Sequence, residues 1–379
     1  MLSKGNVTKI LGRQTVSGNI LVPLGYLYGG IMRLRNAFYD NGLFKKQRPA
    51  LRVISVGNLT VGGTGKTPMV EFLIKRYGSD RASGLPETAT LSRGYGRITT
   101  GFRIATDADT AATLGDEPLQ LYRKFGRFVC VCVGERRADA LHQMQQRFPQ
   151  LRRVLLDDAY QHRAVDPHLN LLLSDYNRPF YADYPFPAGR LREGRAGAAR
   201  ADAVIITKCP GALSADEQQQ IRWAVHRYSG AGVPVLFAGL RYGQPVAYAT
   251  QQPTDKLRAV VLVSGLANAD PLDTYVRQTF DLLTHHRFAD HYAYKRADLD
   301  RLLADQPPGA ALLTTEKDWV KLDALLTTDE RATLPLYYLP VSVQFLPGYE
   351  QEFGRLLDAF DAGDRPPRPL SDGARPLPM

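Results

Sequence analysis

The chain has 379 residues, of which 44% are hydrophobic and 23% charged, with three cysteines and a formal net charge of +10. This composition excludes a disordered polyelectrolyte and a disulfide-stapled scaffold, and the length suits about two domains with substantial cores. The charge is local: Lys4, Lys9, Arg13, Arg33, Arg35, Lys45, Lys46, Arg48 and Arg52 stand against Asp40 alone, so +8 of the +10 lies in the first 52 residues.

Within that basic segment, Ile20–Met32 is an apolar run too short to cross a bilayer and interrupted by Pro23 and three glycines. At helical period Leu24, Leu27, Tyr28, Ile31, Leu34 and Phe38 share one face, opposite Arg33, Asn36 and Asp40. This predicts an interfacial amphipathic helix, with Lys45, Lys46 and Arg48 adding about 1 kcal/mol each at an anionic membrane surface. A helix packed on the protein's own core is the alternative. The aromatics lie with the aliphatic face and do not interleave with the basic residues, which argues for no nucleic-acid partner. No cleavable signal pattern is present.

The next segment, Val53-Ile-Ser-Val-Gly-Asn-Leu-Thr-Val-Gly-Gly-Thr-Gly-Lys-Thr67, runs from an apolar strand through a glycine-rich turn into a helix. It reads as a phosphate-binding loop formed by Thr60, Val61, Gly62, Gly63, Thr64, Gly65, Lys66 and Thr67. Backbone N–H groups would wrap the polyphosphate of ATP, Lys66 would reach the β- and γ-phosphates, and Thr67 would ligate Mg²⁺. Thr60 stands where the usual motif has its first glycine. Farther on, Arg153-Val-Leu-Leu-Asp-Asp158 is a short apolar strand ending in paired carboxylates, and Asp157 and Asp158 are the candidate metal ligands.

Apolar strands are expected at Leu51–Val56, Thr88–Ser92, Phe128–Val133, Val154–Asp157, Leu169–Ser174, Ala203–Thr207, Val260–Ser264 and Ala311–Thr314, alternating with helical stretches. The fold class is therefore α/β: a P-loop NTPase-like, mostly parallel sheet flanked by helices, with a second, smaller α/β domain. The expected division is a basic N-terminal segment at 1–48, a kinase core at 49–232, a smaller domain at 233–360 after the Tyr228–Pro234 connection, and a flexible Pro-rich tail at 361–379. Cys130, Cys132 and Cys209 form no metal pattern and read as buried, reduced thiols. The His285-His286 pair lacks metal-ligand companions and reads as structural. Guanine reading needs an Asn/Thr-Lys-x-Asp turn, and Thr207-Lys-Cys-Pro210 ends in proline, which argues against a regulatory GTPase. A soluble small-molecule kinase would leave the N-terminal helix without a task.

Further motifs occur in order: Leu91-Ser-Arg-Gly-Tyr-Gly-Arg97, Gly115-Asp-Glu-Pro118, Val133-Gly-Glu-Arg-Arg137, Asp157-Asp-Ala-Tyr-Gln-His162, Pro187-Ala-Gly-Arg-Leu-Arg-Glu193, Phe288-Ala-Asp-His291 and Thr315-Glu-Lys-Asp318. Together, over about residues 20–350, they resemble the tetraacyldisaccharide 4′-kinase family of lipid A biosynthesis. The resemblance implies ATP- and Mg²⁺-dependent phosphorylation of the 4′-hydroxyl of an acylated glucosamine disaccharide 1-phosphate, by a peripheral or monotopic protein at the cytoplasmic face of the bacterial inner membrane, with no obligate protein partner. It also implies that Asp116 is the base and His291 its partner. By the same likeness, Arg137 (or its neighbour Arg136) contacts phosphoryl oxygens, and Glu117, Arg192 and Glu193 belong to substrate or phosphate contacts.

Overall fold

The computed structural model describes residues 21–78 and 86–364, so Lys4, Lys9, Arg13 and the end of the Pro-rich tail lie outside the described residues. In chain order the principal helices are α1 (Leu21–Asp40), α2 (Lys66–Tyr77), α3 (Asp116–Phe125), α4 (Arg137–Arg147), α5 (Ala215–Ser229), α6 (Asp270–Thr279), α7 (Glu316–Leu322) and α8 (Tyr349–Ala362). The expected strands all form, Thr88–Ser92 and Ala203–Thr207 with the bounds read from the sequence and the others within one or two residues. Most are rich in Val, Ile and Leu, Thr88–Ser92 being Thr-Ala-Thr-Leu-Ser, and they are buried on both faces as parallel strands require.

The chain divides into two compact units, Met1–Lys66 with Asp158–Gly239 and Phe345–Met379, and Thr67–Asp157 with Leu240–Gln344. In the first unit β1 (Arg52–Asn58), β6 (Leu169–Asp175), β7 (Ala203–Thr207) and β8 (Val235–Tyr242) pair in parallel in the order β8-β7-β6-β1. In the second, β5 (Arg153–Asp157), β2 (Thr88–Ser92) and β4 (Cys130–Val133) are parallel, with the short β3 (Arg103–Ile104) antiparallel at the edge. That unit also holds a five-stranded sheet, β11 (Asp281–Arg287), β10 (Ala259–Ser264), β12 (Ala311–Thr315), β13 (Leu336–Leu339) and β9 (Val246–Ala247), parallel except for β9. Its core is built from Val260, Leu262, Leu272, Val276, Leu313 and Leu339. The protein is thus an α/β fold of mostly parallel sheet flanked by helices.

Helix α1 lies against its own unit on a narrow side. A Cβ at Gly25 would stand 2.8 Å from Ala188 Cβ, so only glycine permits this approach. Tyr28 Oη donates to the Arg192 carbonyl at 2.9 Å, and Asn36 Nδ2 donates to Glu193 Oε2 at 2.8 Å. Leu24, Leu27, Ile31 and Leu34 point outward, each at least half exposed, while Tyr28 and Phe38 are half-buried. The apolar ridge facing solvent is therefore narrower than the predicted face, because the glycine side and the two aromatics turn inward.

One buried polar cluster joins three helices of the second unit. Lys124 on α3 is held between Glu71 of α2 and Glu316 of α7, and Gln120 Nε2 donates to Glu71 Oε1 at 2.9 Å. Burial, then the nearby Glu316 charge, raise the Glu71 carboxyl above its ordinary value despite Lys124. A carboxyl with a raised folded value contributes stability at low pH that is lost as pH rises through that value. Lys124→Met would leave two buried carboxylates without their shared cation. It is expected to cost about 3–5 kcal/mol at pH 8 and visibly less at pH 5, where Glu71 takes up a proton. Urea unfolding at the two pH values checks this, and an equal loss at both would show that Glu71 is not the group that responds.

Candidate active site

The glycine-rich loop is anchored on its own unit by backbone and side-chain contacts. Val61 N donates to the Arg190 carbonyl at 2.8 Å, Asn58 Nδ2 to Thr64 Oγ1 at 2.7 Å, and Thr207 Oγ1 to the Thr64 carbonyl at 2.8 Å. Gly65 has φ 83°, a left-handed turn that brings the chain into α2. Thr60 and Thr64 are buried, whereas Val61, Gly62 and Gly63 are exposed, so the turn's glycines face outward while its threonines fasten it. Lys66 begins α2, and its Nζ lies 3.7 Å from Asp158 Oδ1.

Lys208 takes part although sequence reasoning passed over it. Its Nζ donates to the Gly63 carbonyl and pairs with Asp175 Oδ2 at 2.7 Å, so the lysine of Thr207-Lys-Cys-Pro210 braces the loop. The proline that counted against guanine reading leaves this bracing intact. The Thr-Lys pair was the available signal.

Asp157 closes β5 and is buried. Asp158 follows in the left-handed region at φ 49°, where Arg192 Nη1 reaches both of its oxygens at 2.8 Å. Among the described residues no group of three or more His, Cys, Asp or Glu side chains could hold a metal alone. Hydroxyl and carboxylate oxygens, the donor types of Thr67, Asp157 and Asp158, are those that Mg²⁺ prefers.

Glu193 is buried and fully engaged. It accepts from Arg200 Nη2 at 2.6 Å, Gln161 Nε2 at 3.0 Å and Asn36 Nδ2, tying α1 to the segments around residues 161 and 200. Arg137 is 1% exposed, and its Nη1 donates to the carbonyls of Gly134 and Glu135, so it holds the loop before α4. Arg136 is exposed and pairs with Asp139 at 2.8 Å.

In the second unit Asp116 and Glu117 open α3, where the helix dipole favours carboxylates, and both are half-buried. His291, at φ 58°, places Nδ1 3.3 Å from Asp116 Oδ2, although 175 residues separate the two. Two lysines on one face of α7 complete the cluster: Lys317 Nζ is 3.1 Å from His291 Nε2, and Lys321 Nζ is 3.7 Å from Asp116 Oδ2. Burial raises the Asp116 carboxyl, but the His291 hydrogen bond and the charge of Lys321 outweigh it and hold the group below its ordinary value. The Thr315-Glu-Lys-Asp318 motif is accounted for residue by residue. Thr315 caps α7, Glu316 enters the buried cluster, Lys317 meets His291, and Asp318 accepts from Gly265 N at 2.8 Å.

A serine–histidine–aspartate contact also occurs, with His285 Nε2 2.8 Å from Ser264 Oγ and Nδ1 2.7 Å from Asp273 Oδ2. Ser264 is 0% exposed, so no substrate reaches its hydroxyl, and the contact joins β10, β11 and α6.

Residues 18–360 match the family described as LpxK: Tetraacyldisaccharide-1-P 4′-kinase. The tetraacyldisaccharide 4′-kinase of Cytophaga hutchinsonii is 41% identical over 330 residues, covering 86% of this chain and 90% of that protein. That of Flavobacterium johnsoniae is 37% identical over 339 residues, covering 88% and 94%. A crystal structure of LpxK from Aquifex aeolicus in complex with ATP superposes with a TM-score of 0.68 at 26% identity, covering 89% of this chain and 98% of that one. With the motifs in one order along the whole match, the chain belongs to the tetraacyldisaccharide-1-phosphate 4′-kinase family.

Proposed function

We propose that the chain performs the reaction for which its family is named through three groups of its own residues: residues 60–67 for ATP, Thr67, Asp157 and Asp158 for Mg²⁺, and Asp116 with His291 for the acceptor proton. The reaction is transfer of the γ-phosphoryl group of ATP to the 4′-hydroxyl of a tetraacylated glucosamine disaccharide 1-phosphate. The observation that carries the assignment is the Asp116–His291 pair. A sugar hydroxyl is a poor nucleophile, and the pair offers an ionised acceptor held in place by a hydrogen bond.

As the O4′–P bond forms and the bond to ADP breaks, the hydroxyl proton passes to Asp116. Because Asp116 is held below the ordinary carboxylate range, it is ionised at neutral pH but is a weak base. That suits a loose transition state in which the proton leaves late. Lys66 supplies a fixed cation for the phosphate oxygens, and Arg192, now on Asp158, is the nearby cation for a substrate anion. Thr67, Asp157 and Asp158 would hold Mg²⁺, which would supply positive charge against that of the phosphate oxygens.

The lipid partner brings the enzyme to a membrane, and we assign α1 as its contact at the cytoplasmic face of the inner membrane. No described helix is long and apolar enough to cross a membrane. Leu27 and Ile31, 63% and 58% exposed, head the outward ridge. The basic residues that follow contribute less than their number implies, since Lys46 pairs with Asp40 and Arg48 with Asp166.

One experiment tests both readings. The purified chain with ATP and Mg²⁺ should phosphorylate a synthetic tetraacyldisaccharide 1-phosphate at O4′, in detergent and in anionic vesicles. Leu27→Glu with Ile31→Glu should keep the detergent rate and lose most of the vesicle rate, since each buried Leu or Ile contributes about 1.5–3 kcal/mol. Truncation of α1 would be a poorer test, because Asn36 and Asp40 bond to Glu193 and Arg163 of the body. ATP consumption without a 4′-phosphorylated product would overturn the substrate assignment, and an unchanged vesicle rate would overturn the anchor.

A further inference from the structure

We propose that Lys317 is a positioning residue that fixes His291 as the neutral tautomer with its proton on Nδ1, aimed at Asp116; this rests on the Asp116–His291 reading above. An ammonium group only donates hydrogen bonds, and a carboxylate only accepts them. Lys317 Nζ lies 3.1 Å from His291 Nε2, so Nε2 must present its lone pair there. Nδ1 lies 3.3 Å from Asp116 Oδ2, so the single ring proton belongs on Nδ1. The two ends of the ring are specified by partners of opposite kind. An imidazolium would have to put an N–H against the ammonium, losing one hydrogen bond and setting two positive charges together.

The surroundings hold Lys317 in that role. Its Nζ also donates to Asp290 Oδ1 at 2.7 Å, which directs the ammonium and balances its charge. Asp290 lies 3.9 Å from His291 Nε2, farther than it is from the lysine. On the same helix Lys321 faces Asp116 and pairs with Asp318 Oδ1 at 3.2 Å. The ring of Tyr95 lies 5.6 Å from the imidazole and adds no charge. The backbone of His291, at φ 58°, adopts a conformation uncommon outside glycine, as expected where the contacts of a side chain decide its placement.

For the reaction this arrangement gives Asp116 a hydrogen-bond donor without a full positive charge. An imidazolium would depress the basicity of the aspartate further; a neutral Nδ1–H orients it and leaves it able to accept the hydroxyl proton.

The test uses the full chain labelled with ¹⁵N in its histidine rings, with the His291 signals assigned by their loss in His291→Asn. At about pH 8 the wild type is expected to show the His291 proton on Nδ1 and a lone pair on Nε2, whereas in Lys317→Met the Nε2–H tautomer is expected to become populated. The same variant should lower kcat about tenfold or more and change KM for ATP little. Lys317→Arg, which keeps a cationic donor, should recover part of the rate. A wild-type His291 with its proton on Nε2 would overturn the proposal whether or not the variant folds. So would Lys317→Met turning over at the wild-type rate with the ring proton still on Nδ1. Failure of the underlying pair reads differently: His291→Ala and Asp116→Ala would then both turn over at near wild-type rates.

Discussion

Lys66→Ala is expected to lower the rate of phosphoryl transfer by about a thousandfold or more, with the melting temperature nearly unchanged. Lys66 sits at the start of α2 with its side chain only 10% exposed, and its ammonium is 3.7 Å from Asp158. Removing it does not strand that carboxylate, because Arg192 still contacts both Asp158 oxygens. The cost therefore falls on the charge that develops on the phosphate and leaves the fold intact. Lys66→Arg should not rescue, since a planar guanidinium cannot replace a compact ammonium at the end of a tight loop. Asp157→Asn should lose a comparable amount through the metal and be partly relieved by added Mg²⁺. Transfer of labelled phosphate from ATP measures both variants; turnover within a few-fold of wild type in either would remove that residue from the site.

Asp116→Ala should lower kcat by about 10²–10⁴-fold, with a much smaller change in ATP affinity. His291→Ala should lose less, because it acts through Asp116. The double variant should lose less than the product of the two single losses, as residues working as one unit do. Asp116 is held below the ordinary carboxylate range, so its ionised form is present above that range and activity should fall only as pH drops into the acid region. Losing the His291 hydrogen bond should move this acid limb upward. Strictly multiplicative losses, or an acid limb that does not move in His291→Ala, would falsify the pair.

Much of this protein was legible in its sequence because the relevant physics is local. Short, mainly apolar stretches mark strands buried on both faces, and β7 (Ala-Val-Ile-Ile-Thr) and β2 (Thr-Ala-Thr-Leu-Ser) form with the bounds so read. The glycine-rich turn before Lys66 and the paired aspartates after β5 announce themselves for the same reason: the backbone conformation and the charge are properties of adjacent residues. The amphipathic period of α1 was also visible, but its outward direction was not, because that depends on Gly25 meeting Ala188, 163 positions away.

What only the tertiary structure decided was the company each charge keeps. The contact of Asp116 with His291 spans 175 residues and that of Lys208 with Gly63 spans 145, and no spacing rule joins such positions. Arg137 and Glu193 read alike in sequence as candidates for substrate or phosphate contacts, yet both are buried and bonded within the fold. Lys317 stood in the sequence only as part of the Thr315-Glu-Lys-Asp318 motif, and packing sets it against His291. A side chain's charge is written in the chain, but its partner is chosen by burial, which removes water as the competing partner and makes a long-range contact between charges decisive.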